Sequence, residues 1–225
     1  MGSHEGYRVD AEAQAAMVVA AFFGALAARF ADAPDLVGRL RGRHRRLVAA
    51  QQHRVVDEAS LHNLSMTLAV LAAYQELAHE RTGDDLITAL REAFVQPMER
   101  FVREATRSLL DGAGDPFVAM VKLTREREEQ AFGAGFVFGH PEDDESRYTA
   151  EVRRCFYHEV LKANGAANLT GVFCAFDSNW IDAIDPDRDG FEFERPTTIG
   201  SGGASCPFRF RRIVRATAGR KASAS

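Results

Sequence analysis

The spacing of apolar residues predicts that the first half of the chain is helical. In residues 57–81, leucines recur every three or four positions, which is the spacing of one face of an α-helix. Residues 10–30 are alanine-rich and apolar on nearly all sides, so a deeply packed helix is expected there. A basic helix, which contains the arginines of residues 39–46, is predicted between these two. A fourth helix, over residues 85–110, is predicted to be interrupted at Pro97, and Gly83 is expected to close the third.

The second half has a different pattern, in which short alternating segments predict β-strands. Large apolar and polar residues alternate in residues 191–195 and 206–210, as they do in half-buried strands. Residues 132–138 are a glycine-containing strand candidate, and residues 146–163 are predicted to be an amphipathic helix, whereas residues 169–176 fit either a strand or a buried helix. The predicted fold class is α+β, with a helical N-terminal half packed against a small, mainly antiparallel sheet in the C-terminal half.

The clearest boundary in the chain is the D-G-A-G-D-P segment at residues 111–116, since glycine and proline interrupt regular structure. Residues 1–9 are expected to be a tag or disordered, and residues 215–225 to be a disordered tail. Between them lie a helical region, residues 10–111, and an α+β region, residues 112–214, that carries the candidate site. We expect these two regions to form one integrated domain.

Composition and charge restrict the classes of partner. The chain has 225 residues, of which 46% are hydrophobic and 27% are charged, and its net charge of −4 gives no strong attraction to nucleic acid or to a membrane. Arginines at residues 39–46 and a basic tail leave nucleic-acid binding as the last-ranked alternative, because a solvated helix face is the simpler explanation. The apolar run at residues 15–28 is short for a membrane span and is compatible with a helix-mediated homodimer.

The three cysteines are expected to be reduced thiols in a cytoplasmic protein, because they are widely spaced and follow no secretory segment. The absence of a C-x-x-C pair argues against a structural zinc site of familiar spacing, and nothing in the sequence requires a cofactor. The D-P-D-R-D-G segment at residues 185–190 begins like a calcium loop, but Pro196 stands where the closing bidentate acid is required. We therefore expect a connecting turn there and no metal.

The candidate site is centred on the loop between the two predicted strands. Residues 197–205 are mostly Gly, Ser and Thr, so a ligand can approach their backbone closely. Cys206 closes this loop, and Cys174 lies three residues before Asp177, which predicts a thiol and a carboxyl group near each other. Asn63 and Trp180 are candidate pocket residues. The alternative for each cysteine is an inert, buried thiol.

Four segments of the chain resemble the L-2-amino-thiazoline-4-carboxylic acid hydrolase family. They are Asn63-Leu64 with Ala73-Tyr74 and Leu77, the C-F-Y-x-E motif at residues 155–159, the C-x-x-D motif of Cys174 and Asp177, and T-I-x-x-G-x-x-x-C-x-F at residues 198–208. The last motif is fairly specific, and the resemblance covers about residues 57–210. All three cysteines, Cys155, Cys174 and Cys206, fall at motif positions, which burial alone does not require.

The resemblance implies an enzyme that opens a cyclic amidine in a small heterocyclic, amino-acid-like substrate. Addition of water at the ring carbon between nitrogen and sulfur needs a nucleophile or an activated water, a proton donor and a clamp for the substrate carboxylate. As a hypothesis, a thiol of Cys174 or Cys206 is the nucleophile or a polar orienter, and Asp177 is the proton shuttle. The predicted substrate-binding residues are Asn63, Cys155, Trp180, Thr198, Gly202 and Ser205.

Two alternative functions are kept open. The loop has Ala204 and Ser205 before Cys206 and Pro207 after it, so it carries fewer titratable groups than the family pattern. One alternative is therefore a divergent member that forms or rearranges a ring in specialised metabolism. The other is a non-catalytic small-molecule-binding module that resembles vinyl-reductase-type domains. Asp177 discriminates between enzyme and sensor, because proton transfer needs a carboxyl group at the site and sensing does not.

Overall fold

The computed structural model describes residues 11–79, 81 and 83–213. The expectations of a tag or disorder at residues 1–9 and of a disordered tail at residues 215–225 lie outside the described residues. Within the described part, helices dominate up to residue 135, and an antiparallel sheet joins them in the C-terminal half. The predicted α+β class is confirmed.

Five helices form the first half of the fold. They are α1 (Ala11–Arg29), α2 (Leu36–Gln51), α3 (Glu58–Leu77), α4 (Asp84–Gly112) and α5 (Pro116–Arg127). Helix α3 begins with a capping box, because the Asp57 side chain accepts the Ser60 N–H at 2.7 Å and the Ser60 hydroxyl oxygen accepts the Asp57 N–H at 2.9 Å. Its residues from Thr67 to Ala73 are all buried, so α3 is the central helix of the layer.

Helix α4 runs without interruption through Pro97, so the predicted break is wrong. Pro97 is exposed, whereas Phe94 and Met98 beside it are buried, and the packed face maintains the helix across the hydrogen bond that proline cannot make. Gly83 does not close α3 as predicted. It has a φ of 81° and is the residue immediately before α4, where glycine adopts this conformation without steric cost.

Four antiparallel strands form one sheet in the order β1-β2-β4-β3. The strands are β1 (Val137–Gly139), β2 (Arg147–Arg154), β3 (Phe191–Glu194) and β4 (Cys206–Arg212). The two strands predicted from alternation, β3 and β4, are confirmed and pair directly, with Phe193 opposite Phe210. The central strand β4 also pairs with β2, where Cys206 lies opposite Val152.

Residues 146–163 are not one helix, which corrects the prediction. Strand β2 occupies the first part, and helix α6 (Phe156–Ala163) begins only after Cys155. Tyr148, Ala150 and Val152 are buried at the period of two of a strand face, and Thr149 between them is also buried, with its hydroxyl donating to Glu142 at 2.9 Å. The strand predicted at residues 132–138 is likewise limited to β1, because a π-helical segment (Glu128–Phe132) and a 3₁₀ turn (Gly133–Gly135) precede it.

The ambiguous segment at residues 169–176 is helical. Helix α7 (Thr170–Phe176) leads directly into α8 (Ser178–Ile181), and α9 (Pro186–Asp189) occupies the acidic turn. The carboxylates of the turn bind to other groups of the protein. The Asp189 carboxylate accepts two hydrogen bonds from Arg107, and the Asp185 carboxylate caps α9. No group of three or more His, Cys, Asp or Glu side chains in the described part of the chain is arranged to hold a metal ion.

One hydrophobic core joins the two halves of the chain. It includes Phe22 of α1, Leu68 of α3 and Phe94 of α4 together with Phe173 of α7 and Cys206 of β4. A second, smaller cluster lies between the end of α4, α5 and the sheet. The helical half therefore supplies one side of any site on the C-terminal half.

The apolar run at residues 15–28 lies on α1, and the arginine run at residues 39–46 lies on α2. Among the described helices, only α1 has a window, Glu12–Arg29, long and apolar enough to cross a membrane; its mean hydropathy is 1.2 and 28% of it is buried. Core helices and signal sequences satisfy the same criterion. On α2, Arg39 and Arg43 both pair with Glu76 of α3, at 2.9 and 2.8 Å, so part of the arginine run binds within the fold.

Candidate functional site

A cavity of about 610 Å³ lies between the N-terminal helices and the α6–α8 segment. Apolar side chains dominate its walls, among them Val18, Met66, Met98, Val102, Leu109 and Leu123. This combination of apolar walls with a few convergent polar groups is typical of small-molecule sites. Three of the predicted site residues, Asn63, Asp177 and Trp180, line this cavity.

Asn63 and Tyr157 form the first polar group of the cavity. The Asn63 amide donates to the carbonyl oxygens of Ala131 at 2.9 Å and Phe132 at 3.3 Å, and the Tyr157 hydroxyl donates to Asn63 Oδ1 at 2.9 Å. Ala131 and Phe132 belong to the π-helical segment, whose wider turn interrupts regular α-helical bonding. Burial raises the pKa of Tyr157, so its hydroxyl keeps its proton at neutral pH.

Asp177, the carboxylate that the sequence predicted for the site, lines the cavity and lies where α7 meets α8. Its side chain accepts a hydrogen bond from Trp180 Nε1 at 3.1 Å and forms an ion pair with Arg195. Burial raises the pKa of the Asp177 carboxyl group, and the Arg195 charge and the Trp180 hydrogen bond oppose that increase. A carboxyl group with a raised pKa beside a cavity is suited to proton transfer.

Arg195 fixes the orientation of Asp177 from the end of strand β3. Its guanidinium also donates to the Cys174 carbonyl oxygen at 2.9 Å and lies over the Phe208 ring at 5.2 Å. The sequence prediction did not include Arg195. Its position directly after the alternating segment F-E-F-E is the one signal that places it at the edge of the sheet.

Arg127, at the end of α5, is a further cavity residue that the sequence did not identify. Its guanidinium lies over the Phe132 ring at 5.9 Å, but it makes no hydrogen bond or ion pair with another described residue. Its positive charge acts to lower the pKa of both Asp177 and Tyr157, so it lies near them. In the sequence it stands in an ordinary charged run, R-E-R-E-E, which carries no distinguishing signal.

The three cysteines cluster beside this cavity, although none is among the described residues that line it. Burial raises the pKa of Cys155 to about 12 and that of Cys206 to about 11, and nearby thiols add to both increases. These two groups are therefore protonated at neutral pH. Cys174 faces a shallower recess of about 380 Å³ that Arg195 also lines. The catalytic roles assigned to Cys174 and Cys206 stay predictions.

The loop residues predicted to clamp the substrate bind mainly to the protein itself. The Thr198 and Ser201 side chains form a capping box, in which the Thr198 hydroxyl accepts the Ser201 N–H at 3.1 Å. The Ser205 hydroxyl donates to Glu151 at 2.9 Å, and Gly202 has a φ of 91° in the turn. No residue of this loop is among the described residues that line the larger cavity.

The loop packs closely on Cys174 because Gly200 has no side chain. A Cβ atom at Gly200 would lie 2.8 Å from Cys174 Sγ and 3.1 Å from the Gly171 nitrogen. We expect Gly200→Ala to lower the free energy of unfolding by about 1–3 kcal/mol in urea titrations, as overpacking does. Gly24→Ala is the matched control, since nothing lies within 4 Å of its added Cβ. Equal stability of the two variants would contradict this packing.

Comparison with known proteins identifies the family of this chain. The sequence model of the L-2-amino-thiazoline-4-carboxylic acid hydrolase family matches residues 62–210, well over half of the chain. No curated protein and no solved structure matches the chain significantly. The matched range contains Asn63, Tyr157, Asp177 and Arg195 as well as the cysteine cluster. The chain belongs to the L-2-amino-thiazoline-4-carboxylic acid hydrolase family.

Proposed function

We propose that this protein hydrolyses a C–N bond of a cyclic amidine or imine in a small heterocyclic acid, and that the reaction takes place in the larger cavity. The family is hydrolytic by name, and the observation that carries the proposal is Asp177. Its carboxyl group faces the cavity, its pKa is raised by burial, and Arg195 holds it in place. A binding module has no need of such a group.

The proposed reaction uses one water molecule and returns every proton. Asp177 accepts a proton from the water as its oxygen attacks the ring carbon between nitrogen and sulfur. Asp177 gives this proton to the ring nitrogen as the tetrahedral adduct forms. The adduct hydroxyl then becomes a carbonyl, its proton passes through Asp177 to the same nitrogen, and the ring C–N bond breaks to release a primary amine. The Tyr157 hydroxyl keeps its proton at neutral pH and donates it to Asn63, so its oxygen is left to accept a hydrogen bond from the substrate. With L-2-amino-thiazoline-4-carboxylate the product is a carbamoyl-cysteine.

In this proposal the thiols position the site and do not attack the substrate. Cys206 Sγ accepts the Ile199 N–H at 3.1 Å, and Cys174 packs against Gly200, so both hold the small-residue loop against α7. Neutral thiols with raised pKa values are poor nucleophiles, which applies to Cys155 and Cys206. Arg195 links the two parts of the site, because it binds the Cys174 carbonyl as well as Asp177.

Incubation of the protein with L-2-amino-thiazoline-4-carboxylate tests the proposal directly. Cleavage of the ring C–N bond releases a primary amine and no free thiol, whereas cleavage of the C–S bond releases a thiol. We expect the amine to appear in proportion to enzyme, measured by mass spectrometry and amine labelling. If neither this substrate nor ring-substituted analogues are opened, and ligands only stabilise the fold, the protein is a binding module and the proposal is wrong.

Single replacement of each cysteine by serine is expected to leave most of the ring-opening activity. We expect kcat/KM to change less than about tenfold in Cys155→Ser, Cys174→Ser and Cys206→Ser, because removing a positioning contact costs about 1 kcal/mol. The measurement is kcat/KM with circular dichroism of each variant. Loss of more than about 1000-fold in a folded variant would identify that thiol as a nucleophile, since covalent catalysis cannot proceed without it.

A divergent substrate is the second candidate, and the size of the cavity favours it. The 610 Å³ of the cavity correspond to about twenty water molecules at ~30 Å³ each. A small heterocyclic amino acid fills only a fraction of that space. Ring closure with loss of water is the reverse of the proposed reaction and uses the same groups, so the ring-opening assay run with the open-chain product also detects a cyclase.

A further inference from the structure

The larger cavity divides into a polar wall and an apolar chamber. Asn63, Tyr157, Asp177 and Arg127 supply the polar wall. The rest of the lining is formed mainly by apolar side chains of α1, α4 and α5. A ligand that contacts both regions has to carry a polar group at one end and an apolar group at the other, because buried polar groups need partners and buried apolar surface favours apolar surface.

The opening of the cavity carries large apolar side chains beside a charged pair, Lys122 and Glu126, whose side chains are 76% and 40% exposed. Met17 of α1 and Phe101 of α4 line the cavity and are 40% and 51% exposed, which is high for such large apolar side chains. They lie where the cavity meets solvent. The apolar part of this rim favours entry of a ligand that carries an apolar group.

Among the described charged residues that line the cavity, Arg127 forms no ion pair with another of them. Asp177 is paired with Arg195, and Lys122 is paired with Glu126 at 3.7 Å. Arg127 is partly buried, lines the cavity, and has no carboxylate within ion-pair distance among the described residues. A partly buried guanidinium is stabilised by an anion, and a carboxylate matches its paired N–H groups.

We propose that the natural substrate is an amphipathic carboxylate: its acid group binds Arg127, and an apolar substituent of several carbon atoms fills the chamber between α1, α4 and α5. This inference rests on the proposed function for the reacting ring, which lies between the acid group and Asp177. The binding preference, however, follows from Arg127 and the apolar walls alone. It extends the site beyond the small polar substrate that the family name describes.

Binding of simple alkyl compounds tests the inference without any turnover. The probes are decanoate and its uncharged counterpart decanamide, below their critical micelle concentrations, with hexanoate and octanoate as shorter acids. We expect decanoate to bind at least about tenfold more tightly than decanamide, as charge-assisted hydrogen bonds do. Affinity should rise about fourfold for each added methylene group, up to the length that fills the chamber. Isothermal titration calorimetry measures both.

Variants of two arginines on α5 assign the acid group to its partner. In Arg127→Gln, decanoate and decanamide are expected to bind equally, whereas Arg127→Lys keeps part of the preference because it keeps the charge. Arg125→Gln is the matched control, since Arg125 pairs with Asp143 and does not line the cavity. The preference of the Arg125→Gln variant for decanoate over decanamide should remain within twofold of the wild-type value. Thermal unfolding checks that each variant is folded.

The outcomes separate this inference from the proposed reaction. Equal binding of acid and amide to the wild type, unchanged preference in Arg127→Gln, or no binding of any probe would each overturn the inference. Suppose that the protein prefers decanoate but opens neither L-2-amino-thiazoline-4-carboxylate nor its ring-substituted analogues. That result would leave the inference standing and overturn the hydrolase proposal. Ring opening of L-2-amino-thiazoline-4-carboxylate without binding of decanoate would do the reverse.

Discussion

Asp177→Asn is expected to lower kcat/KM for ring opening by about 100- to 10,000-fold, the usual contribution of general acid–base catalysis. The asparagine side chain has the same shape as aspartate, and its carbonyl oxygen can still accept from Trp180 or Arg195. It cannot accept a proton from water at neutral pH. The loss should therefore appear in kcat, with little change in the affinity for decanoate, because Arg127 and the apolar walls are unchanged.

The pH dependence of the wild-type protein gives a second measure of Asp177. A general base works only when it is ionised, so activity should rise as the pH increases through the pKa of Asp177 in the folded protein. Because burial raises that pKa above 3.8, the acid limb of the kcat/KM profile should lie above pH 3.8. The residual activity of Asp177→Asn should lack this limb.

The raised pKa of Asp177 also predicts the direction in which the stability of the fold changes with pH. In the folded protein Asp177 binds its proton more tightly than in the unfolded chain, so its contribution to stability is fully present below pH 3.8 and is lost as the pH rises through the folded pKa. Asp177→Asn removes this loss, but it also leaves Arg195 without its carboxylate. The pH dependence of unfolding should therefore be flatter in the variant over that interval, whatever its absolute stability.

A surface carboxylate provides the control for Asp177. Asp32 is 76% exposed and forms an ion pair with Arg81, and neither residue is among those that line the cavity. Asp32→Asn should keep the wild-type kcat/KM and pH profile within about twofold, because an exposed ion pair contributes about 0–1 kcal/mol. Wild-type turnover in a folded Asp177→Asn variant would remove Asp177 from the mechanism and with it the main support for the proposed reaction.

The sequence was most informative where local spacing determines the structure. Alternation identified β3 and β4 because a strand turns every second residue toward the core. Asp177 was predicted from its three-residue spacing to Cys174, and Trp180 from its place just after Asp177 in the sequence. The helix predicted at residues 146–163 failed because charged residues at the ends of β2 fit the outer face of a helix equally well. Only the pairing of β2 with β4 decides between the two.

The composition of the small-residue loop was misleading about where the ligand binds. Its glycines suggested close approach of a ligand, but Gly200 is needed for contact with Cys174, and a Cβ at Gly203 would lie 2.3 Å from Thr197 Oγ1. Its hydroxyl groups are similarly used within the loop, as in the Thr198–Ser201 capping box. Arg127 could not be predicted, because what distinguishes it is that no described residue forms an ion pair with it in the fold, and a sequence does not show that.

Asp189 is expected to be the carboxylate with the largest effect on stability. Its side chain is 1% exposed, and it accepts two hydrogen bonds from Arg107, at 2.6 and 2.9 Å. Burial acts to raise the pKa of Asp189, but the Arg107 guanidinium and the Asp185 N–H outweigh it and hold the pKa below 3.8. The pair joins α4 to the segment that enters β3, and β3 leads to Arg195.

Replacing Asp189 by alanine should lower the free energy of unfolding by about 3–5 kcal/mol, because the partly buried Arg107 keeps only the more exposed Asp111 as a carboxylate partner and the Asp185 N–H loses its acceptor. For a chain of this size the corresponding decrease in Tm is roughly 6–20 °C. Asp111→Asn is the matched control: Asp111 binds the same guanidinium but is 38% exposed, so its loss should cost at most about 1 kcal/mol. Urea and thermal unfolding at neutral pH measure both variants.

The dependence on pH and on calcium distinguishes the Arg107–Asp189 pair from a cation site in the acidic turn. With its pKa lowered, Asp189 contributes stability above pH 3.8 and loses it as the pH falls through the folded value, so the difference between wild type and Asp189→Ala should shrink in acid. Calcium should not change the Tm, because the Asp189 carboxylate is already bound to Arg107. The double variant Arg107→Met/Asp189→Leu should recover part of the lost stability, since apolar replacement of both partners removes a buried charge that has lost its main partner. A calcium-dependent Tm, or no recovery in the double variant, would show that Asp189 stabilises the fold in some way other than by neutralising Arg107.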